Sequence, residues 1–91
     1  MELTIIAKEK EYLEIELKGE DYTFPFALCE ILLKDKEVEF ASVKTDHPEL
    51  LLPHIIVRTK GKDPVSVLKK AAQQLAKEAK EFSGEIQEKM K

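Results

Sequence analysis

The sequence predicts an α+β domain with the element order ββαββα, in which a four-stranded, mostly antiparallel sheet carries two helices on one face. Four short segments have the composition or the two-residue alternation of strands. Residues 21–35 begin with capping residues and are densely apolar, which indicates a first helix. From Leu68 onward, apolar residues recur at spacings of three and four, which indicates a long C-terminal helix.

The first two strands are expected to form a hairpin. Residues 3–7 have the composition of a short strand, and residues 8–11 form a charged turn. In residues 12–17, apolar side chains alternate with acidic ones, which is the pattern of a strand with one buried face. Gly19 ends this hairpin.

The first helix is contained in residues 21–35, DYTFPFALCEILLKD. Asp21 and Thr23 can both cap it, and Pro25 suits a first turn, where its missing N–H is not needed. The charged residues 34–36 end it. Its apolar side chains lie nearly all round the helix, whereas a surface helix needs only one apolar stripe. We therefore expect this helix to be covered on more than one side.

Two further strands follow the first helix. Residues 38–45 have a strand pattern, residues 46–49 break it, and Pro53 keeps the next loop irregular. Residues 54–59 are rich in β-branched side chains and predict the fourth strand. Residues 60–62 then turn the chain towards the last helix.

The last helix begins with Asp63 as its cap and Pro64 at its first position. Its apolar stripe comprises Leu68, Ala71, Ala72, Leu75, Ala79, Phe82, Ile86 and Met90. Ser83 and Gly84 weaken helix propensity, because Gly costs about 1 kcal/mol relative to Ala. Two outcomes are open: the helix ends near Ser83 and the tail frays, or it continues to the C-terminus.

The continuous helix would be too long for a compact domain of this size. It would measure about 40 Å at about 1.5 Å per residue. A compact chain of 91 residues has a diameter of about 31 Å. An overhanging apolar helix end is marginal in water unless another surface packs on it. The continuous helix therefore predicts burial by another chain.

Composition limits the classes of function. The chain has 91 residues, which we interpret as one domain, residues 1–91, with 15 basic and 18 acidic residues and a net charge of −3. This balance argues against nucleic-acid binding driven by bulk charge. A lone Cys29 cannot form an internal disulfide, which favours a reducing compartment. With no leader pattern and no apolar run of about 20 residues, we expect a cytoplasmic protein without a membrane segment.

No active-site pattern is visible. His47 and His54 could be combined with Asp46 and Glu49 into a metal site, but their spacing fits no standard ligand pattern. Cys29 lies among apolar residues and is interpreted as a small buried side chain. No nucleophile motif or phosphate-binding loop is present. We expect no catalytic residue, cofactor or metal in this chain.

Charged residues surround the stripe of the last helix. They are Lys69, Lys70, Lys77, Lys80, Glu78, Glu81, Glu85 and Glu88. We interpret them as a solvated face with local ion pairs, each of which stabilises the helix by about 0.2–0.5 kcal/mol.

Several motifs together resemble one family. They are E-D-Y-T-F at 20–24, V-E-F-A-S-V at 38–43, H-P at 47–48 and I-I-V-R-T-K-G at 55–61, followed by a long amphipathic helix. This arrangement resembles the archaeal RNA polymerase subunit L family, which is related to a small eukaryotic polymerase subunit and to the dimerisation domain of the bacterial alpha subunit. The resemblance covers nearly the whole chain. Tyr22 and Phe26 depart from it, because the family commonly has His and Asn there.

The resemblance implies a non-catalytic assembly subunit of DNA-directed RNA polymerase with the alpha-subunit dimerisation fold. Such subunits pair through their helices with a larger alpha-like partner, the archaeal D subunit, and the pair is the platform for the large catalytic subunits. No direct contact with nucleic acid is implied. By position, eleven residues would share the domain core and the partner interface: Phe24, Phe26, Leu28, Ile31, Leu32, Leu68, Ala72, Leu75, Ala79, Phe82 and Ile86.

Three other classes of function are the alternatives. A homodimeric module outside the polymerase could bury the same helix faces against a second copy. A small RNA-binding domain would need stacking aromatics on its sheet, where only Tyr12 and Phe40 are available, and a βαββαβ order. An independent enzyme lacks a candidate site.

Overall fold

Six elements follow one another in the predicted order, in a computed structural model that describes residues 2–19, 23–45 and 52–89. They are β1 (Glu2–Glu9), β2 (Tyr12–Lys18), α1 (Thr23–Leu33), β3 (Val38–Lys44), β4 (His54–Thr59) and α2 (Pro64–Lys89). The predicted cap Asp21 and the departure at Tyr22 lie outside the described residues.

The strands form one antiparallel sheet in the order β1-β2-β4-β3. β1 and β2 are the predicted hairpin. Glu9 still pairs with Tyr12, so the turn is shorter than the predicted residues 8–11. β4 is the last strand in sequence but lies in the interior of the sheet, between β2 and β3. β1 and β3 are therefore the two edges.

The core lies between one face of the sheet and both helices, which confirms the predicted layering. It comprises Leu13, Ile15 and Leu17 of β2, Ala41 of β3, Ile55 and Val57 of β4, Leu28, Cys29 and Leu32 of α1, and Val67 and Ala71 of α2. The strand residues occupy alternate positions, because successive side chains of a strand point to opposite faces. The period-two prediction for β2 is therefore confirmed.

The dense apolar character of α1 is explained by its two packing surfaces. α1 lies against β3 on one side and against α2 on another. Its buried residues are Pro25, Leu28, Cys29 and Leu32. The two surfaces do not cover the whole helix, because Phe26 and Leu33 remain 54% and 59% exposed.

α2 is one continuous helix of 26 residues, about 39 Å long at about 1.5 Å per residue. The outcome in which it ends near Ser83 is wrong. Only Pro64, Val67 and Ala71 are buried, all in its first turns, whereas every residue from 76 to 89 is exposed. The chain accordingly extends 49 Å along its longest axis. We call residues 76–89 the projecting segment.

Leu32 and its neighbour Leu33 provide a matched test of this packing. Leu32 is 0% exposed, so Leu32→Ala leaves a cavity and is expected to lower the free energy of unfolding by about 2–5 kcal/mol. Leu33→Ala removes the same atoms from an exposed side chain, and its expected effect is within about 0.5 kcal/mol. Urea unfolding followed by circular dichroism measures both. Equal losses for the two variants would contradict the assignment of the core.

Candidate functional site

The projecting segment carries an apolar surface that the domain itself does not bury. Phe82 is 65% exposed and Ile86 is 47% exposed. Both continue the stripe that begins with Val67 and Ala71, because spacings of three and four keep residues on one side of a helix. They line an open hollow together with Glu85 and Lys89. The same stripe therefore forms the domain core at one end of α2 and a solvent-exposed apolar surface at the other.

The eleven residues predicted for the core and the interface fall into three groups by burial. Leu28 and Leu32 are buried within the domain core. Phe24, Ile31, Leu68 and Leu75 are half-buried at its margin. Phe26, Ala72, Ala79, Phe82 and Ile86 are exposed. Sequence spacing could not separate these groups, because the point at which α2 leaves the sheet depends on how the elements pack.

β1 adds exposed apolar residues that the sequence analysis did not select. Leu3 pairs with Leu17 and Ile5 pairs with Ile15, so both lie on the helix-facing side of the sheet. They are nevertheless 55% and 56% exposed, because α1 and α2 pack over the other three strands. Their β-branched and apolar composition was visible in the sequence. The position of β1 at the edge, beyond the helices, was not.

The opposite face of the sheet holds a cluster of hydrogen-bonded charges. His54 Nδ1 lies 2.7 Å from Glu14 Oε2, and His54 Nε2 lies 3.2 Å from Glu16 Oε2. The Tyr12 hydroxyl donates to Glu14 Oε1 at 3.2 Å, and Lys44 Nζ lies 3.9 Å from Glu14 Oε2. Glu14 is only 9% exposed, and these partners compensate for its burial. The cluster joins β2 to β4 and β3.

This cluster determines the acidity of Glu14. The hydrogen bond with His54 is the main cause that lowers the pKa of Glu14, with smaller contributions from Tyr12 and Lys44, while burial opposes the shift. A hydrogen bond to the ionised carboxylate favours that form. The sequence showed the alternation of Glu14 and Glu16, but it could not show that His54 would lie between them.

The aromatic residues of this outer face lie beside an arginine. The Arg58 guanidinium carbon is 5.1 Å from the centre of the Tyr12 ring, a cation–π distance. Phe40 pairs with Arg58 on the other side and is 48% exposed. Glu14 and Glu16 share the face, and their negative charge disfavours a phosphate backbone.

Of the four residues that the sequence analysis combined into a possible metal site, only His54 lies in the described ranges. Asp46, His47 and Glu49 lie outside them, and His54 is held by carboxylates. Residues 2–19, 23–45 and 52–89 contain no group of three potential metal ligands.

Burial raises the pKa of the Cys29 thiol, and the Glu30 charge adds to the effect, so its reactive thiolate form is disfavoured. No described helix is long and apolar enough to cross a membrane.

Among the described residues, α2 forms none of the ion pairs predicted along it within 4 Å. Ion pairs within 4 Å in the described parts of the chain involve residues of the sheet and its turns. The glutamates of the projecting segment are exposed and have no such partner there. Holding two long exposed side chains together costs conformational entropy that offsets the weak attraction in water.

Known proteins share the sequence and the architecture of this chain. A family model described as the RNA polymerase Rpb3/Rpb11 dimerisation domain matches residues 12–85. The chain is 37% identical over 83 residues to "DNA-directed RNA polymerase subunit Rpo11" of Methanosarcina barkeri, covering 91% of this chain and 90% of that protein. It is 38% identical over 84 residues to the Pyrococcus horikoshii protein of the same name, covering 89% and 88%.

A solved structure shows the same fold. The crystal structure of DNA-directed RNA polymerase subunit L from Thermoplasma acidophilum superposes with a TM-score of 0.85 at 33% identity, covering 97% of this chain and 87% of that one. The α+β fold expected from the sequence is confirmed by this match.

The outer-face cluster predicts how stability depends on pH. Because the pKa of Glu14 is lowered in the folded chain, its contribution to the free energy of unfolding is complete above the unfolded-state pKa of about 4.3. That contribution is lost as the pH falls through the lower folded-state pKa. We expect wild-type stability to fall more steeply with acid than that of Glu14→Gln. Urea unfolding between about pH 2 and pH 7 measures this difference.

Glu9→Gln is the control for this measurement, because Glu9 is an exposed carboxylate of the same sheet. It should retain the wild-type pH dependence. A Glu14→Gln profile that also parallels the wild type would show that the cluster does not hold Glu14 in its ionised form.

Proposed function

The chain belongs to the RNA polymerase Rpb3/Rpb11 dimerisation domain family, and we propose that it pairs with the alpha-like D subunit in a DNA-directed RNA polymerase. It is a subunit of the assembly type, as its Rpo11 and subunit L relatives are. The observation that carries the proposal is the exposed apolar stripe of the projecting segment. The pair would be the platform on which the large catalytic subunits and other polymerase subunits assemble. We place it in the cytoplasm, where an archaeal polymerase works.

The stripe supports this proposal because an isolated helix end of that kind is unfavourable in water. Short helices without tertiary packing are marginal, and Phe82 and Ile86 expose apolar surface that a partner would remove from water. Interfaces between obligate partners bury about 2,000 Å² or more. Large aromatic side chains seated in pockets provide much of the binding free energy. Phe82 is the natural anchor of the pair.

Among the eleven predicted residues, we propose one role for the two buried members and another for the nine half-buried and exposed members. The exposed and half-buried members would contact the partner: Phe24, Phe26, Ile31, Leu68, Ala72, Leu75, Ala79, Phe82 and Ile86. Leu28 and Leu32 would fix the position of α1 through core packing, since both are buried in the core. In this assignment residues 1–91 act as one dimerisation domain. The chain contributes packing surface and no catalytic group.

The homodimeric module outside the polymerase is not favoured. The Rpo11 relatives are polymerase subunits, and they match this chain over about nine-tenths of its length. Sedimentation of the isolated chain separates the two cases. A stable, defined dimer would support self-pairing, whereas weak association or aggregation is what a chain without its partner should show.

Phe82→Asp tests the interface directly. Phe82 is 65% exposed, so the substitution should leave the domain folded. A charge placed at the centre of an apolar interface should cost at least about 2 kcal/mol, or about 30-fold in affinity. We expect loss of the complex with the alpha-like D subunit in co-expression followed by size-exclusion chromatography with light scattering.

Gln73→Asp is the matched control. It makes the same change in net charge on the same helix, and nine residues, about 2.5 turns, place Gln73 on the side opposite Phe82. This variant should form the complex normally. If Phe82→Asp pairs as well as Gln73→Asp does, the interface does not include the projecting segment.

A further inference from the structure

The projecting segment is asymmetric in charge about its apolar stripe. At about 100° per residue, one side of the stripe carries four glutamates at spacings of three, four and three. They are Glu78, Glu81, Glu85 and Glu88, and we call them the acidic row. The side across the stripe is small and uncharged at Ala76 and Ser83. A partner helix lying on the stripe would thus meet a charged edge on one side and a small-residue edge on the other.

The acidic row forms no close ion pair with its own domain. All four glutamates are exposed, and none has an ion-pair partner within 4 Å among the residues that the structure describes. Glu78 lines a hollow that also includes Lys34, Lys36 and Lys70, whereas the other three glutamates do not line it. Glu85 lines the separate hollow formed with Phe82, Ile86 and Lys89. Anything seated in the hollow would contact the edge of the row.

The position of the row along α2 is unfavourable for the helix alone. The C-terminal end of a helix carries a partial negative charge, so carboxylates in the last turns destabilise it. Glu88 lies in the last turn of α2, beside Lys89. The helix dipole therefore does not account for a carboxylate at this position, whereas a complementary charge on a partner would.

On this basis, and resting on the proposed function, we propose that the partner surface covering the stripe carries lysine or arginine side chains along the edge that faces the acidic row. The occupant is an apolar helix with one basic edge. Complementary charges at the rim of an interface steer association and fix the orientation of the partner more than they increase affinity.

A second copy of this chain packed antiparallel fits the surface poorly. Two identical helices packed antiparallel, face to face about a two-fold axis, have the same edge on the same side of the interface. The acidic row of one copy would then lie against the acidic row of the other. Like charges across an interface are unfavourable, so the charge pattern disfavours an antiparallel homodimer.

A competition experiment tests the proposal in the complex. Wild-type chain and the double variant Glu81→Lys/Glu85→Lys are mixed in equal amounts with a limiting amount of the alpha-like D subunit, and the composition of the purified complex is determined by mass spectrometry. At about 50 mM NaCl we expect the variant to be incorporated about tenfold less than the wild type, because steering by complementary charge raises association rates by about 10–1,000-fold. At about 500 mM NaCl the difference should largely disappear, since salt screens exposed charges.

Glu9→Lys/Glu39→Lys is the matched control, with the same change in net charge on exposed residues of β1 and β3. It should compete equally with the wild type at both salt concentrations. Circular dichroism confirms that each variant is folded, and lysines near the helix C-terminus should preserve α2.

The outcomes separate this inference from the proposed function. If Glu81→Lys/Glu85→Lys competes like the control while Phe82→Asp fails to pair, the partner has no basic edge here and the inference is overturned. If the wild-type chain itself does not bind the alpha-like D subunit, the proposed function fails first. If the isolated wild-type chain forms a stable dimer that Phe82→Asp abolishes, the occupant of the stripe is a second copy and the inference is overturned.

Discussion

The architecture depends on a short anchor for a long helix. α2 has 26 residues, yet only Pro64, Val67 and Ala71 are buried, against β2, β4 and α1. These first turns fix the direction of the whole helix, because a helix is stiff over this length. The orientation of the projecting segment, and hence of every exposed residue on its stripe, is thus set by packing more than 10 Å away along the helix, at about 1.5 Å per residue.

Local chemistry was sufficient to predict the elements but not their arrangement. The alternation in β2, the Asp63-Pro64 start of α2 and the stripe that runs past Gly84 were visible in the sequence and are confirmed. The sequence could not show that β4 would enter between β2 and β3, because pairing of distant strands depends on the whole sheet. For the same reason the contact of His54 with Glu14, forty positions apart, was missed. The candidate surface was predicted as a set, and only packing divided it into buried and exposed members.

The two faces of the sheet differ in how far their side chains already have partners within the domain. On the outer face, Glu14, Glu16 and His54 satisfy one another, and Arg58 lies over Tyr12. Polar groups that already have partners gain little from a new contact. On the helix side, Phe82 and Ile86 are in water, and their burial would be favourable. Phe40 on the outer face is also 48% exposed, but Phe82 and Ile86 together form a continuous exposed stripe. The helix side therefore carries the larger apolar surface that a partner would bury.

A helix that is anchored at one end also connects folding to assembly. Its first turns share the stability of the core, whereas every side chain of the projecting segment is exposed, so we expect this segment to open at a lower free energy. A partner that binds the ordered helix stabilises it by an amount that grows with the logarithm of the partner's concentration relative to its dissociation constant. The ordering cost reduces the net affinity that Phe82 and its neighbours provide.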